Sequence, residues 1–280
     1  MDSAALNDGS AWAMAGLAVA VLLGVAWLAS GPWRQAQRRA RLRAKPFPAD
    51  WRRILRQQVP LVARLPADLQ HRLKGHVQVF LAEKPIIGCQ GQLVDDAVRL
   101  SIAAQACLLL LGAPAPAYFP GLRQVLVYPG GFWVNRTRRD AGGVQQHQVQ
   151  ALAGESWQQG QVILSWPDTR AGAARPEDGD NLVVHEFAHQ IDQDKGLADG
   201  RPWRRSRADR QRWDIVMGAA YQHHRQHPSE LLGDYAATDP AEFLAVATER
   251  FFERPAALSA EWPGVYAELA KLYRVNPLNW

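Results

Sequence analysis

The stretch from Asn181 to Asp192, Asn-Leu-Val-Val-His-Glu-Phe-Ala-His-Gln-Ile-Asp, constrains this chain more than any other. It contains His-Glu-x-x-His. On a helix of about 3.6 residues per turn, His185 and His189 stand one turn apart on the same face, so both imidazoles reach a single metal ion from one rigid element. Glu186 follows the first histidine directly, which puts its carboxylate beside an open coordination position, where it serves as a base. Leu182, Val183, Val184, Phe187, Ala188 and Ile191 surround the motif with apolar side chains. The helix is therefore expected to be largely buried, and buried histidine and glutamate need partners.

A catalytic zinc site takes three protein ligands and leaves one position open. The extended form of the motif, H-E-x-x-H-x-x-G-x-x-H, would put Gly at 192 and His at 195. This chain has Asp192 and Lys195 there, so the third ligand must lie elsewhere. Glu242 is the first candidate. Asp239 reads as an N-cap and Pro240 as the first residue of a helix running through Ala247 to Phe252. Asp239-x-x-Glu242 also reads as a capping box, in which Glu242 would only bond back to the amide of the cap. Glu249, two turns on, shares the face of Glu242 as an alternative ligand or a partner for an imidazole, and Asp192 is a third option.

With 280 residues and 48% hydrophobic side chains, the chain can bury a sizeable core, and one catalytic domain with an N-terminal appendage is expected. The net charge of +5 does not imply nucleic-acid binding. Residues 1–45 hold six basic side chains (Arg34, Arg38, Arg39, Arg41, Arg43, Lys45) and two acidic ones (Asp2, Asp8); removing them from totals of 32 and 27 leaves 26 against 25. The basicity is a local segment rather than a groove. Cys89 and Cys107 have no metal-ligand spacing and fit a reducing compartment.

Residues 11–30 carry no charge, a length that as a helix matches a hydrocarbon core about 30 Å thick, with Trp12 and Trp27 near its ends. The basic cluster follows at once. The positive-inside rule then predicts a short exported N-terminus (1–10), a transmembrane helix (11–30), a basic linker (31–48) and a catalytic domain (49–280) on the cytoplasmic side of a bacterial inner membrane. A cleaved signal peptide would carry its positive charge before the apolar run.

Within the domain, helical periodicity runs from Trp51 to about Lys84 with breaks at Pro60 and Pro66, and again from Leu93 to Leu111. Val125–Tyr128 and residues 160–166 read as buried strands, with charged or Gly-rich loops at 135–143 and 168–180. A strand just before a metal helix offers an edge on which an extended peptide could pair. His223, His224 and His227 close a helix whose stripe is Trp213, Val216, Met217, Ala220 and His224, ended by Pro228. They read as a solvated helix end, with a surface metal site as the alternative.

Gly154-Glu155-Ser156-Trp157-Gln158-Gln159-Gly160, the strand to Trp166, the stretch 181–192 and the segment 234–243 together resemble the Mlc titration factor A family of zinc metallopeptidases, over roughly residues 46–280. That family is similar around its site to the catalytic domain of anthrax lethal factor. The resemblance implies one zinc ion on His185, His189 and Glu242, and favours Glu242 over Glu249. It implies Tyr235 as a donor to the oxyanion beside Glu186 as base, and peptidase activity of an aminopeptidase-like kind on a peptide or protein substrate. It also implies a transcriptional repressor as a partner. The N-terminal helix and its basic flank depart from the family pattern. The fold expected is α+β: a zincin-like metallopeptidase domain with a small mixed sheet and an active-site helix, preceded by the membrane helix.

Overall fold

The computed structural model describes residues 3–139, 145–152, 154–157, 160–196, 198–202 and 206–280. Contacts divide the chain into two compact units, the boundary falling between Lys45 and Pro46.

The first unit is two helices, α1 (Ser3–Ala29) and α2 (Gly31–Ala44). Pro32 has no N–H to give to the carbonyl of residue 28, so an unbroken helix cannot pass this point. Ser30 Oγ donates to the carbonyl of Trp27 (2.8 Å) and accepts from Arg34 (3.0 Å). Here the expected membrane placement is corrected. Among the described residues no single helix is long and apolar enough to cross a bilayer. Met14–Ala29 and Gly31–Ala44 meet the requirement only as a pair, bent by 44°. The second helix of that pair is rich in arginine. A single-pass inner-membrane protein, anchored by this helix with its domain facing the cytoplasm, is therefore not supported.

In the second unit, Pro48, Pro60 and Pro66 each stand at the entry to a helix, where a missing N–H costs nothing. They precede α3 (Ala49–Gln58), α4 (Leu61–Arg64) and α5 (Ala67–Glu83). After β1 (Ile86–Gly88), Asp95 caps α6 (Asp96–Leu108) by accepting from the Val98 amide at 2.9 Å. Next come β2 (Gln124–Tyr128), β3 (Phe132–Arg139), β4 (Gln145–Leu152), β5 (Gly154–Trp157) and β6 (Gln161–Ser165). Six further α-helices follow: α7 (Trp166–Ala174), α8 (Leu182–Asp192), α9 (Arg207–Gln226), α10 (Pro240–Glu253), α11 (Pro255–Glu261) and α12 (Pro263–Tyr273).

The main sheet has the order β1-β2-β6-β5, its first three strands parallel and β5 antiparallel to β6. The unit is mostly helical around this small sheet, which is consistent with the expected α+β class. Three local readings differ. Residues 135–139, expected as loop, continue β3, which pairs with β4 as a separate hairpin; a strand this polar gives no apolar alternation to detect. The rest of that expected loop, 140–143, lies outside the described residues. The Gly-rich stretch after Pro167 begins as α7, because Pro167 occupies the first turn where it is tolerated. Finally, β6 has β2 on one side and β5 on the other, so it has no edge to offer a peptide.

The helix carrying the motif sits in the core as anticipated: Val183, Val184, Phe187 and Ala188 are fully buried. The Phe187 ring packs against Phe80 (5.7 Å) and Phe119 (4.7 Å). Phe119 and its neighbour Tyr118 both adopt positive φ, a conformation that disfavours side chains bearing Cβ. The buried Lys84 ammonium holds that turn by donating to the carbonyls of Phe119 (2.8 Å) and Leu122 (2.7 Å). On the other side, Gly172 of α7 lets the start of α8 approach closely: a methyl group there would stand 2.8 Å from the Asp180 carbonyl oxygen.

At the far end of α8, buried Asp192 accepts from the Gly200 amide (2.7 Å) through Oδ2, while Oδ1 has no hydrogen-bond partner. Burial pushes its carboxyl up from 3.8 to about 6, against the opposing pull of the Gly200 amide. The raised value means the ionised form is disfavoured in the fold. Its stabilising contribution is complete below the unfolded value and lost as pH rises through about 6, a span worth on the order of 3 kcal/mol at most. Asp192→Asn removes that titration. In urea unfolding with EDTA, the variant is expected to gain stability relative to wild type between pH 4.5 and 7.5; parallel pH profiles would refute this account.

Candidate metal centre

Two capped helix starts bring the site together. Asn181 caps α8, its Oδ1 accepting from the Val184 amide at 3.0 Å. Asp239 caps α10, accepting from the amides of Ala241 (2.8 Å) and Glu242 (3.0 Å), with Pro240 in the first turn. The Glu242 side chain does not return to the cap. It crosses to α8, with Oε2 at 3.0 Å from His185 Nε2 and 3.3 Å from His189 Nε2. The two imidazole Nε2 atoms are 3.2 Å apart.

These three atoms form a nearly equilateral triangle. Tetrahedral zinc with bonds of about 2.0–2.1 Å requires its donors to lie roughly 3.3 Å apart, and two imidazoles with one carboxylate is an established donor set. The hydrogen bonding points the same way. Glu249 Oε1 lies 2.8 Å from His185 Nδ1, so the ring proton belongs on Nδ1 and the Nε2 lone pair faces the triangle. A lone pair meeting a carboxylate and a second imidazole in a buried place needs a cation among them. The residues present fit a divalent metal, and His185, His189 and Glu242 are grouped as such among the described residues.

The electrostatics agree. Burial alone would pull His185 down, yet its hydrogen bonds to the Glu242 and Glu249 carboxylates and the nearby charges of Glu249 and Glu186 hold its proton affinity well above the ordinary histidine value. Burial would raise Glu242, but its bonds to His185 and His189 hold it far below the usual carboxylate range. Both shifts describe a pocket that stabilises positive charge, whether proton or metal ion.

Of the other residues singled out from sequence, Glu186 is buried on α8 beside His185. Tyr235 lies on a 3₁₀ turn, Asp234–Ala237, half exposed, its ring 5.9 Å from that of His185. Glu249 meets the opposite edge of the His185 ring from the triangle, and Asp192 bonds to Gly200. Neither belongs to the converging donors. The histidine cluster divides: His223 and His227 are exposed, whereas His224 is wholly buried, which corrects the solvated-end reading for that residue.

Two contributors were missed. Buried Glu253 accepts from Asn181 Nδ2 (2.7 Å) and the Gly179 amide (3.2 Å), and burial raises its carboxyl to about 8. Glu249 Oε2 accepts from the Asn181 amide at 2.5 Å. The stripe Glu242, Glu249, Glu253, at intervals of seven and four on one helix, was the available signal. Arg250 was missed as well: it donates to the Gly179 carbonyl, pairs with Asp180 at 3.1 Å, and reaches the Leu231 carbonyl at 2.7 Å. A cavity of about 360 Å³ is lined by Trp213, Tyr221, Pro240 and Phe243 among others but by none of the three donors, so donor chemistry and not cavity size locates the centre.

Comparison with known proteins agrees with this geometry. The model of the glucose-regulated metallo-peptidase M90 family matches residues 33–274. A protein of Synechocystis, slr2042, is 38% identical over 254 residues, covering 88% of this chain and 90% of its own. The Mlc titration factor A of Salmonella typhi is 34% identical over 227 residues, 78% of this chain and 84% of its own, and that of Salmonella arizonae is 33% identical over 237 residues, 82% and 92%. Two histidines and a glutamate that could hold a metal ion thus lie within a match spanning most of the chain, and the chain belongs to the glucose-regulated metallo-peptidase M90 family.

Proposed function

We propose that this chain is a zinc-dependent peptidase with a zincin-like domain over residues 49–280, holding one ion on His185, His189 and Glu242. The observation that carries the proposal is the triangle of donor atoms, 3.0, 3.2 and 3.3 Å on its sides. Zinc bound there supplies Lewis acidity, bringing the pKa of water towards ~7 and polarising a scissile carbonyl.

The remaining work falls to the chain's own groups. The Glu186 carboxylate takes the proton of the attacking water and delivers it to the leaving amine. The Tyr235 hydroxyl donates to the oxygen on which charge develops. Its half-exposed position over the His185 ring supports access to a bound peptide. Glu249, bonded to His185 Nδ1, keeps that ring in the tautomer that presents Nε2. Whether the enzyme trims N-terminal residues is part of the same proposal and is read by comparing amino-acyl p-nitroanilides with internally quenched peptides.

A second reading has an observation of its own: the relatives' name, Mlc titration factor A. Carried to this chain, it implies a protein that binds a transcriptional repressor, with peptide cleavage secondary. The two readings part at one substitution. Glu186→Gln keeps the three donors, so zinc content should stay near one ion per chain while turnover of a quenched peptide library falls by roughly 10² to 10⁴. Wild-type cleavage by this variant would refute the assignment of the base. Repressor binding surviving in it, beside negligible hydrolysis by the wild type, would favour the second reading. Glu249→Ala is expected to weaken zinc affinity about 10- to 100-fold, with turnover largely restored at saturating zinc. Equal affinity in competition with a chromogenic chelator would show that Glu249 does nothing for the ligand.

A further inference from the structure

The His-rich end of α9 has no part in the mechanism above, yet its middle histidine is placed unlike its neighbours. His224 is 0% exposed, its ring in a cluster with those of Phe243 (6.0 Å) and Trp262 (6.0 Å), which also touch each other. Both ring nitrogens are engaged. Nδ1 accepts from the Ser229 amide (3.2 Å), which requires the proton on Nε2, and Nε2 donates to the Gly233 carbonyl (2.9 Å). Ser229 and Gly233 are also joined directly, the Gly233 amide donating to the Ser229 carbonyl at 2.8 Å. One buried imidazole thus fastens both ends of the 229–233 loop.

That loop leads straight into the turn bearing Tyr235. Gly233, at φ +70°, redirects the backbone where other residues are strained, and Tyr235 follows two positions later. Two further bonds hold the same strap. Arg250 Nε donates to the Leu231 carbonyl (2.7 Å), and the Tyr221 hydroxyl donates to the Ala237 carbonyl (3.3 Å). Tyr235 itself is 51% exposed, so burial of its own ring does little to fix it. The backbone of this strap helps set its place beside His185.

We infer that His224 is a positioning residue for Tyr235: its neutral imidazole staples the 229–233 loop to α9 and so helps hold the Tyr235 ring beside His185. The inference rests on the role proposed for Tyr235 in stabilising the oxyanion, and a misplaced donor forfeits much of what a well-placed one contributes, typically about 10² to 10³ in kcat.

Hydrogen–deuterium exchange and kinetics on the full chain, wild type beside His224→Leu, His224→Gln, Tyr235→Phe and the double variant His224→Leu/Tyr235→Phe, test it. His224→Leu should speed amide exchange across 229–237 while α8 exchanges as in wild type and zinc stoichiometry stays the same. With the quenched peptide that wild type cleaves fastest, its kcat should fall by roughly tenfold or more at unchanged KM. His224→Gln, which keeps an amide donor for Gly233, should recover part of the loss. In the Tyr235→Phe background, His224→Leu should cost little more. Unchanged exchange over 229–237, or kcat losses that multiply in the double variant, would overturn the inference. A Tyr235→Phe protein with wild-type kcat would instead remove the oxyanion role, while the exchange data continue to report whether His224 holds the strap.

Discussion

The contact between α8 and α10 at His185 is the interaction on which the site depends. One imidazole is held at both edges by carboxylates from the same neighbouring helix, Glu242 at Nε2 and Glu249 at Nδ1. A buried charge costs several kcal/mol unless it is paired and hydrogen-bonded, so this arrangement is stable only when all its members are present. The opposite face of α8 is apolar, its Phe187 ring locked among Phe80 and Phe119. The motif helix is therefore gripped by close-packed rings on one side and by a row of carboxylates on the other. The first resists rotation of the helix, and the second sets the direction of the ligand.

The carboxylate row reaches past the ligands to the point where α8 begins. Glu249 and Glu253 together engage the amide and side chain of Asn181, which is itself the N-cap of α8, and Arg250 between them holds Gly179 on one side and Leu231 on the other. Consecutive residues of α10 thus fix both the entry to the motif helix and the loop preceding Tyr235. A single element sets the relative position of two chain segments more than forty residues apart in sequence, which is how groups too far apart to constrain one another locally become one site.

How much of this could be read beforehand follows from where each signal resides. His185, Glu186 and His189 are fixed by spacing on one helix, and local periodicity suffices for them. Glu242 was ambiguous because Asp-x-x-Glu is equally a capping box. Locally the cap is indeed made, by Asp239, and only the tertiary contact decides that the glutamate side chain turns away from it. Glu253 and His224 left only weak local traces, a seven-and-four spacing from Glu242 for the one and a place in the Trp213 to Ala220 stripe for the other; an acid late in a helix and a histidine near a helix end are ordinary surface patterns, and their burial comes from elements distant in sequence. The strand β3 escaped for the converse reason, its residues 135–139 being polar throughout, so that only pairing with β4 identifies it. The charge-free run at 11–30 reads as a span on composition, but among the described residues Met14–Ala29 meets the length and apolarity requirement only together with Gly31–Ala44, across a 44° bend, and that second helix is rich in arginine.

The same geometry links metal occupancy to the integrity of the fold. Without a cation, the lone pairs of two imidazoles and a carboxylate face one another within 3.3 Å, and the pocket answers by raising the proton affinity of His185. A proton relieves part of that conflict but bonds to only one or two of the three groups, whereas a divalent ion engages all three. A metal ion held there would compete with protons for this place and bind more weakly as the donors are protonated. It would also add a strut between α8 and α10 that the unfolded chain cannot make, so that free metal above its dissociation constant would stabilise the native state by mass action. Because Asn181, Glu249 and Glu253 join the same contact, that stabilisation extends from the ligands to the start of the motif helix.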